Sequence, residues 1–321
     1  MKRKGMIISG TILTAVAGAY FGVGNYFYNY ALQARKKKRF LEGNPNLELS
    51  KRIDPETEAE AIEADRKFQE KVPSINKTIQ SRDELALRLE ADYFPNTVSE
   101  NKWAIVIHGY SSQSAEMTRW IRGFYEQGFQ VLSPSLRGHG RSEGEYIGMG
   151  WPDRLDLLNW LEELVKEHPD AEIVLFGLSM GASTVMMVSG EELPSNVKVI
   201  VEDCGYSSVD EVFTYQLKEQ FKLPPFPIIN AANTVTKIRA KFGFKEASAI
   251  NQVAKSQTPM LFIHGDQDSF VPFTMLDDLY NAAPVEKEKL IIEGAEHGDA
   301  VKVNPDLYWE TIETFVKRYI N

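Results

Sequence analysis

From about residue 78 onward, short apolar runs recur along the chain and each gives way to small or polar residues. A hairpin pattern over Thr78 to Gln80 and Ala86 to Tyr93 leads into Trp103 to Ile107, Gln130 to Leu132, Glu172 to Phe176, Lys198 to Val201, Met260 to Ile263 and Lys289 to Ile292. Apolar runs without polar alternation mark strands covered on both faces. Between most of them lie stretches with helical spacing, among them Trp151 to Lys166, Met180 to Ser189 and Pro305 to Tyr319. This alternation predicts an α/β fold built on a mainly parallel eight-stranded sheet with helices on both faces. One interval breaks the rhythm. Tyr206 to Ser256 holds Phe221-Lys222-Leu223-Pro224-Pro225-Phe226-Pro227 and several helical segments, too long for an ordinary connection, and predicts a helical cap inserted at about 206–256.

The chain begins differently. Met6 to Leu32 carries no charge, is flanked by Lys2, Arg3, Lys4 and by Arg35 to Arg39, and ends in Tyr26, Phe27, Tyr28 and Tyr30. Length and flanks predict an N-terminal membrane anchor over residues 1–34, a single span with the body on the extracytoplasmic side. A secretory signal cleaved after Ala15-Val16-Ala17 or Ala17-Gly18-Ala19 is an alternative, as is a body facing the cytoplasm, which charge counting favours. A buried helix of the folded domain is a third reading. Gly18 and Gly22 have the spacing of a helix-pairing face. Residues 35–76 read as a polar tether with a lead-in helix over Glu56 to Val72, and residues 77–321 as the folded domain.

Composition narrows the field. The single cysteine, Cys204, follows an apolar run and is expected to be buried, with no disulfide and no cysteine-based metal site. The net charge is −9, yet residues 1–39 hold eight bases and no acid, leaving 28 bases against 45 acids in the rest. A body with a balance of −17 is a poor nucleic-acid binder, so that partner is not expected.

Three loops carry candidate chemistry. In Gly177-Leu178-Ser179-Met180-Gly181 a serine stands between glycines at the end of Ile173 to Phe176, where a sharp strand-to-helix turn would expose its hydroxyl. After Met260 to Ile263 comes His264-Gly265-Asp266-Gln267-Asp268, with two carboxylates. After Leu290 to Ile292 comes Glu293-Gly294-Ala295-Glu296-His297-Gly298, with a histidine. An acyl-transfer nucleophile needs a base, a group to orient the base, and donors for an oxyanion. In chain order Ser179, Asp268 and His297 are candidates for the nucleophile, the orienting acid and the base, each beyond the carboxyl end of a strand. Asp266 remains a rival for the acid, and so do Glu202 and Asp203.

With His108-Gly109-Tyr110 after the third strand and Arg137-Gly138-His139-Gly140-Arg141-Ser142 after the fourth, the chain resembles a serine hydrolase of the α/β-hydrolase superfamily over roughly residues 77–321. It looks most like the bacterial branch related to serine aminopeptidases and monoacylglycerol lipases, some of which have an N-terminal membrane segment. The resemblance implies that His297 takes the Ser179 proton, that Asp268 holds the other imidazole nitrogen, and that the backbone N–H groups of Tyr110 and Met180 bind the oxyanion. It implies no metal or organic cofactor. The substrate expected is a small-molecule carboxylic ester, with amide hydrolysis by a peptidase or aminopeptidase, acyl transfer, and a non-catalytic binding module as alternatives. An exopeptidase would need an acidic pair in the cap to hold an amine, for which Glu211, Glu219 and Glu246 are the candidates. Trp151, Phe213, Tyr215, Phe221, Phe226 and Phe242 are candidates for an acyl pocket. His108 and His139 are expected to brace the oxyanion loop, His168 to cap a helix and His264 to end a strand.

Overall fold

The structure is a computed structural model that describes the backbone of residues 2–320 and side chains from residue 16 to residue 320. Its centre is one eight-stranded sheet: β1 (Ile75–Gln80), β2 (Arg88–Phe94), β3 (Lys102–Ile107), β4 (Gln130–Pro134), β5 (Glu172–Leu178), β6 (Val197–Asp203), β7 (Met260–Gly265) and β8 (Lys287–Ile292). The spatial order is β1-β2-β4-β3-β5-β6-β7-β8, antiparallel for β1–β2 and β2–β4 and parallel elsewhere. β3, β5, β6 and β7 are buried on both faces, as their unbroken apolar runs require.

Before the sheet come α1 (Lys2–Ala31) and α2 (Pro55–Lys71). Around it lie α3 (Thr118–Glu126), α4 (Asp153–Glu167) and α5 (Met180–Val188), and toward the end α9 (Thr274–Ala282), α10 (Ala300–Val303) and α11 (Pro305–Val316). The expected cap interval holds α6 (Val209–Phe221), α7 (Pro225–Arg239) and α8 (Ala249–Val253). Local chemistry starts several of these helices. Asp54 accepts from the Thr57 N–H ahead of α2, with Pro55 at its first position, and Ser208 accepts from the Glu211 N–H at the start of α6.

The N-terminal segment departs from the expected division of the chain. From Gly24 onward α1 packs into the folded domain: Tyr28 and Leu32 are core residues, and α1 lies against α7. A Cβ at Gly24 would run into the Ala231 carbonyl, so glycine there lets the two helices touch, whereas the space beside Gly18 and Gly22 is open. The Arg239 guanidinium sits 4.1 Å over the Tyr28 ring and donates to Asn25 and Asn29. The expected span of Met6 to Leu32 is thus shortened at its carboxyl end, because residues 24–32 are held by protein. Its first part, residues 6–15, lies outside the residues whose side chains are described. Among the described residues, no helix is long and apolar enough to cross a membrane.

The α1 terminus is closed by Lys38. Its buried ammonium donates to the carbonyls of Tyr30, Ala31 and Gln33 at 3.0, 2.9 and 3.0 Å, satisfying acceptors that the helix end leaves open. Residues 35–76 are likewise not a loose tether. The Ser50 N–H and hydroxyl both donate to Asp299, and Arg119 and Arg122 of α3 pair with Glu58 and Asp65 of α2.

Candidate active site

Ser179 sits at the turn from β5 into α5 with φ 56° and ψ −114°, a left-handed conformation that strains a residue carrying a side chain. The flanking glycines explain how the turn fits. A Cβ at Gly177 would strike the Gly181 carbonyl, and one at Gly181 would strike the carbonyl of Ile107 on β3. From the neighbouring strand the Asp203 carbonyl accepts the Ser179 N–H at 2.8 Å and pins the turn.

His297, in the loop after β8, reaches Ser179 Oγ with Nε2 at 2.8 Å and Asp268 Oδ2 with Nδ1 at 2.7 Å. These partners assign the proton to Nδ1, which donates to the carboxylate, and leave Nε2 to accept from the serine hydroxyl. Asp268 is held in turn. Its Oδ1 accepts the N–H groups of Phe270 and Val271 at 2.9 and 2.8 Å, and its Oδ2 also faces His264 Nε2 at 3.1 Å, a nitrogen that bonds the Val271 carbonyl. Burial alone would push the Asp268 carboxyl up, but the His297 and His264 imidazoles facing it hold it well below the usual carboxylate range. Burial would lower the His297 pKa, and the Asp268 charge and hydrogen bond outweigh it, so His297 titrates above its ordinary value.

The rival acids are engaged elsewhere. Asp266 turns away and accepts from the Gly294 N–H. Glu202 accepts from the Gly205 N–H, and burial pushes its carboxyl well up. Asp203 accepts from the Tyr308 hydroxyl at 2.8 Å, which in turn receives the Trp120 indole N–H; burial pushes Asp203 up to about 6. Cys204 Sγ lies within 4.8 Å of the Asp268 and His297 ligand atoms, the one group among the described residues compact enough to suggest a metal. Both imidazole nitrogens of His297 are already engaged, and burial pushes the Cys204 thiol well up, so the set offers a cation neither a free imidazole nor a thiolate.

Tyr110 and Met180 flank the serine. A Cβ at Gly109 would lie 3.4 Å from Ser179 Cβ, so the 109–110 turn passes directly beside the hydroxyl. Met180 opens α5, where a helix leaves its first N–H groups free. Neither N–H meets an acceptor among the described residues. His108 braces this turn with Nδ1 donating to the Gly109 carbonyl at 2.8 Å and Nε2 accepting the Leu136 N–H at 2.9 Å. That arrangement needs a neutral ring, and burial with the nearby His139 pushes its pKa to about 3. His139 takes the Ser111 N–H at 3.3 Å, while His168 occupies the C-cap of α4.

Above the serine opens a cavity of about 860 Å³, its mouth included, lined mainly by aliphatic and aromatic side chains, with Gln216 and Gln220 and no charged residue. Phe213 and Phe221 line it. The other four aromatic candidates do not: Trp151 stacks on Arg154, Tyr215 bonds the Ser269 carbonyl, Phe226 is exposed and Phe242 packs on Tyr146. The sequence reading missed the wall formed by α1 and the segment after it, namely Phe27, Tyr30, Ala31 and Phe40. The signal was present in the aromatic end of the apolar run, which reads equally as an interface belt or as a pocket wall. It also missed the hydrogen bond from the Tyr110 hydroxyl to the Ala31 carbonyl, 2.5 Å, which ties the end of α1 to the turn beside Ser179.

Comparison with known proteins bears on the fold that carries this site. Residues 99–206 match the family model described as Serine aminopeptidase, S33. The chain is 28% identical over 224 residues to the uncharacterized protein YqkD of Bacillus subtilis, covering 69% of this chain and 71% of that one. It is 27% identical over 199 residues to an uncharacterized membrane protein of Saccharomyces cerevisiae, covering 60% and 63%. Among solved structures, an esterase from Pyrococcus furiosus superposes with a TM-score of 0.62 at 22% identity, covering 78% of this chain and 92% of that one. With the strand order and the strand-to-helix turn described above, these likenesses give the chain the α/β-hydrolase fold, and within it residues 99–206 follow the serine aminopeptidase pattern.

Proposed function

We propose that this chain is a serine hydrolase that cleaves a carboxylic ester with an apolar acyl group through Ser179, His297 and Asp268. The observation that carries the reading is the hydrogen-bonded series Ser179–His297–Asp268 at the floor of an uncharged, aromatic-walled cavity. In the first half-reaction the Ser179 oxygen attacks the carbonyl carbon as its proton passes to His297 Nε2. The tetrahedral oxyanion is held by the N–H groups of Tyr110 and Met180. His297 then returns the proton to the departing alcohol as the ester C–O bond breaks. Water repeats the cycle on the acyl-enzyme and frees the acid. Asp268, kept ionised, stabilises the imidazolium that forms in each half.

The family model favours a second reading, release of an amino-terminal residue from a peptide. An enzyme of that kind needs carboxylates at the pocket to hold the substrate ammonium. Here Glu211 accepts from Ser207, Glu219 pairs with Lys222 and Glu246 accepts from the Gly243 N–H, which leaves the lining to uncharged groups and supports the ester. Acyl transfer would use the same acyl-enzyme with an alcohol in place of water. For the location we propose a membrane. The uncharged run beginning at Met6 supports it, with the folded domain on the extracytoplasmic side, and so does the description of the yeast relative.

The test is a rate series with p-nitrophenyl esters of increasing acyl length beside aminoacyl p-nitroanilides. The expected result is ester turnover that rises with acyl length until the cavity is filled and vanishes in Ser179→Ala. Preferential cleavage of the aminoacyl amides would overturn the ester assignment in favour of the peptidase.

A further inference from the structure

The charges of this molecule are segregated. Residues 16–39 together with the cap segment 206–245 hold eleven bases and three acids, a balance of +8, whereas residues 40–205 and 246–321 hold 22 bases and 42 acids, a balance of −20. The six cap bases, Lys218, Lys222, Lys237, Arg239, Lys241 and Lys245, are all exposed, as are Arg35, Lys36, Lys37 and Arg39 after α1. The basic portion also builds most of the cavity wall. Lys218 and Lys222 stand beside the lining residues Leu217 and Phe221, and Lys36 and Lys37 follow the lining end of α1.

The same portion exposes large apolar side chains. Phe226, at the start of α7, is 75% exposed, Tyr26 is 56% exposed, and Leu223 and Val23 are also outside the core. They neighbour the lining in the chain: Tyr26 precedes Phe27, Leu223 follows Phe221, and Phe226 precedes Ile228, while the rings of Phe27 and Phe221 meet at 5.2 Å. Exposed aromatics set among lysines suit the boundary between anionic headgroups and acyl chains, and an acidic remainder would be repelled by it.

We propose that the face made by α1, the α6–α7 turn and the basic cap docks on an anionic lipid surface and presents the acyl cavity to it. The ester taken by Ser179 is then one whose acyl chain resides in that membrane. The substrate part rests on the serine hydrolase reading; the docking part does not. Docking through the cap also differs from anchoring by the first residues, because it sets which side of the domain meets the lipid.

Position-specific labelling of the full chain tests this, and the burial of the lone Cys204 makes it feasible. Phe226→Cys and, on the acidic side, Glu310→Cys are each labelled with the polarity-sensitive fluorophore NBD and mixed with vesicles of phosphatidylglycerol and phosphatidylcholine. At position 226 the emission should rise, shift to the blue and be quenched by doxyl-labelled lipid, and position 310 should stay in water. The response should fade at high salt and on pure phosphatidylcholine. Replacing Lys218, Lys222 and Lys241 by glutamine should weaken the response about fivefold per residue, on the order of a hundredfold together. A label at 226 that stays in water on bound protein, an equal response at 310, or equal binding to neutral vesicles would overturn the proposal. Reaction of the same proteins with a fluorophosphonate reports separately on Ser179, so failure of the hydrolase reading is distinguishable from failure of docking.

Discussion

Ser179 and Asp268 show how much one residue's setting decides. Asp266 and Asp268 are two positions apart on one loop, yet only Asp268 accepts two backbone N–H groups with one oxygen and so turns the other toward His297. Asp268→Asn is expected to lower kcat by about 10⁴ with little change in KM, since it disturbs the imidazole tautomer. Asp266→Asn should stay within about tenfold of the parent enzyme, its contacts being the Gly294 N–H and the exposed Gln267 amide, each worth about 1 kcal/mol. The pair also fixes the sign of the pH dependence. His297 must be neutral to accept the serine proton and its pKa is raised, so kcat/KM should climb with pH through a midpoint above 6.5, the ordinary imidazole value. The stability it contributes is full below that ordinary value and is lost as pH rises through the folded one. Asp268, held low, contributes stability above the usual carboxylate range that is lost as pH falls through its folded value. The order of Ser179, Asp268 and His297 was legible because each follows an apolar strand. The grip of His264 on Asp268 was not, because a buried histidine at a strand end looks the same whether or not a carboxylate turns toward it.

Among the elements, α1 is the one whose role the sequence left most open. Its uncharged run satisfies the length and flank criteria for a bilayer, and those criteria count residues without knowing what else could cover them. In the fold α7 covers part of that surface. Gly24 permits the contact and Lys38 seals the helix end, features that need the cap in place before they can be read. Gly24→Leu should force α1 off α7, which limited proteolysis would detect as new cleavage between residues 32 and 45. Tyr30→Ala should enlarge the acyl cavity and move the optimum in the p-nitrophenyl ester series toward longer chains; an unchanged optimum would remove α1 from the substrate wall. Tyr110→Phe deletes the bond to the Ala31 carbonyl and should cost about 1 kcal/mol of stability by denaturant unfolding. The strands, by contrast, were plain in the pattern, since parallel strands buried on both faces leave unbroken apolar runs that no surface element imitates.

Across the whole molecule, an ordinary α/β scaffold carries a cap and N-terminal segment of opposite charge to its body, and the candidate active site lies where the two meet. The eight strands and the cap interval could be read from alternation, while the cavity could not, because its walls come from segments almost 200 residues apart that meet only on folding. The proposed reaction depends on Ser179 acting as a nucleophile whose proton passes to His297. Intact-mass and peptide mass spectrometry after reaction with a fluorophosphonate tests this most directly. One adduct on Ser179 is predicted, absent in Ser179→Ala and strongly slowed in His297→Ala, with both variants folded by circular dichroism at the labelling temperature. A parent protein that stays unlabelled while folded, or an adduct on another residue that persists in Ser179→Ala, would contradict it.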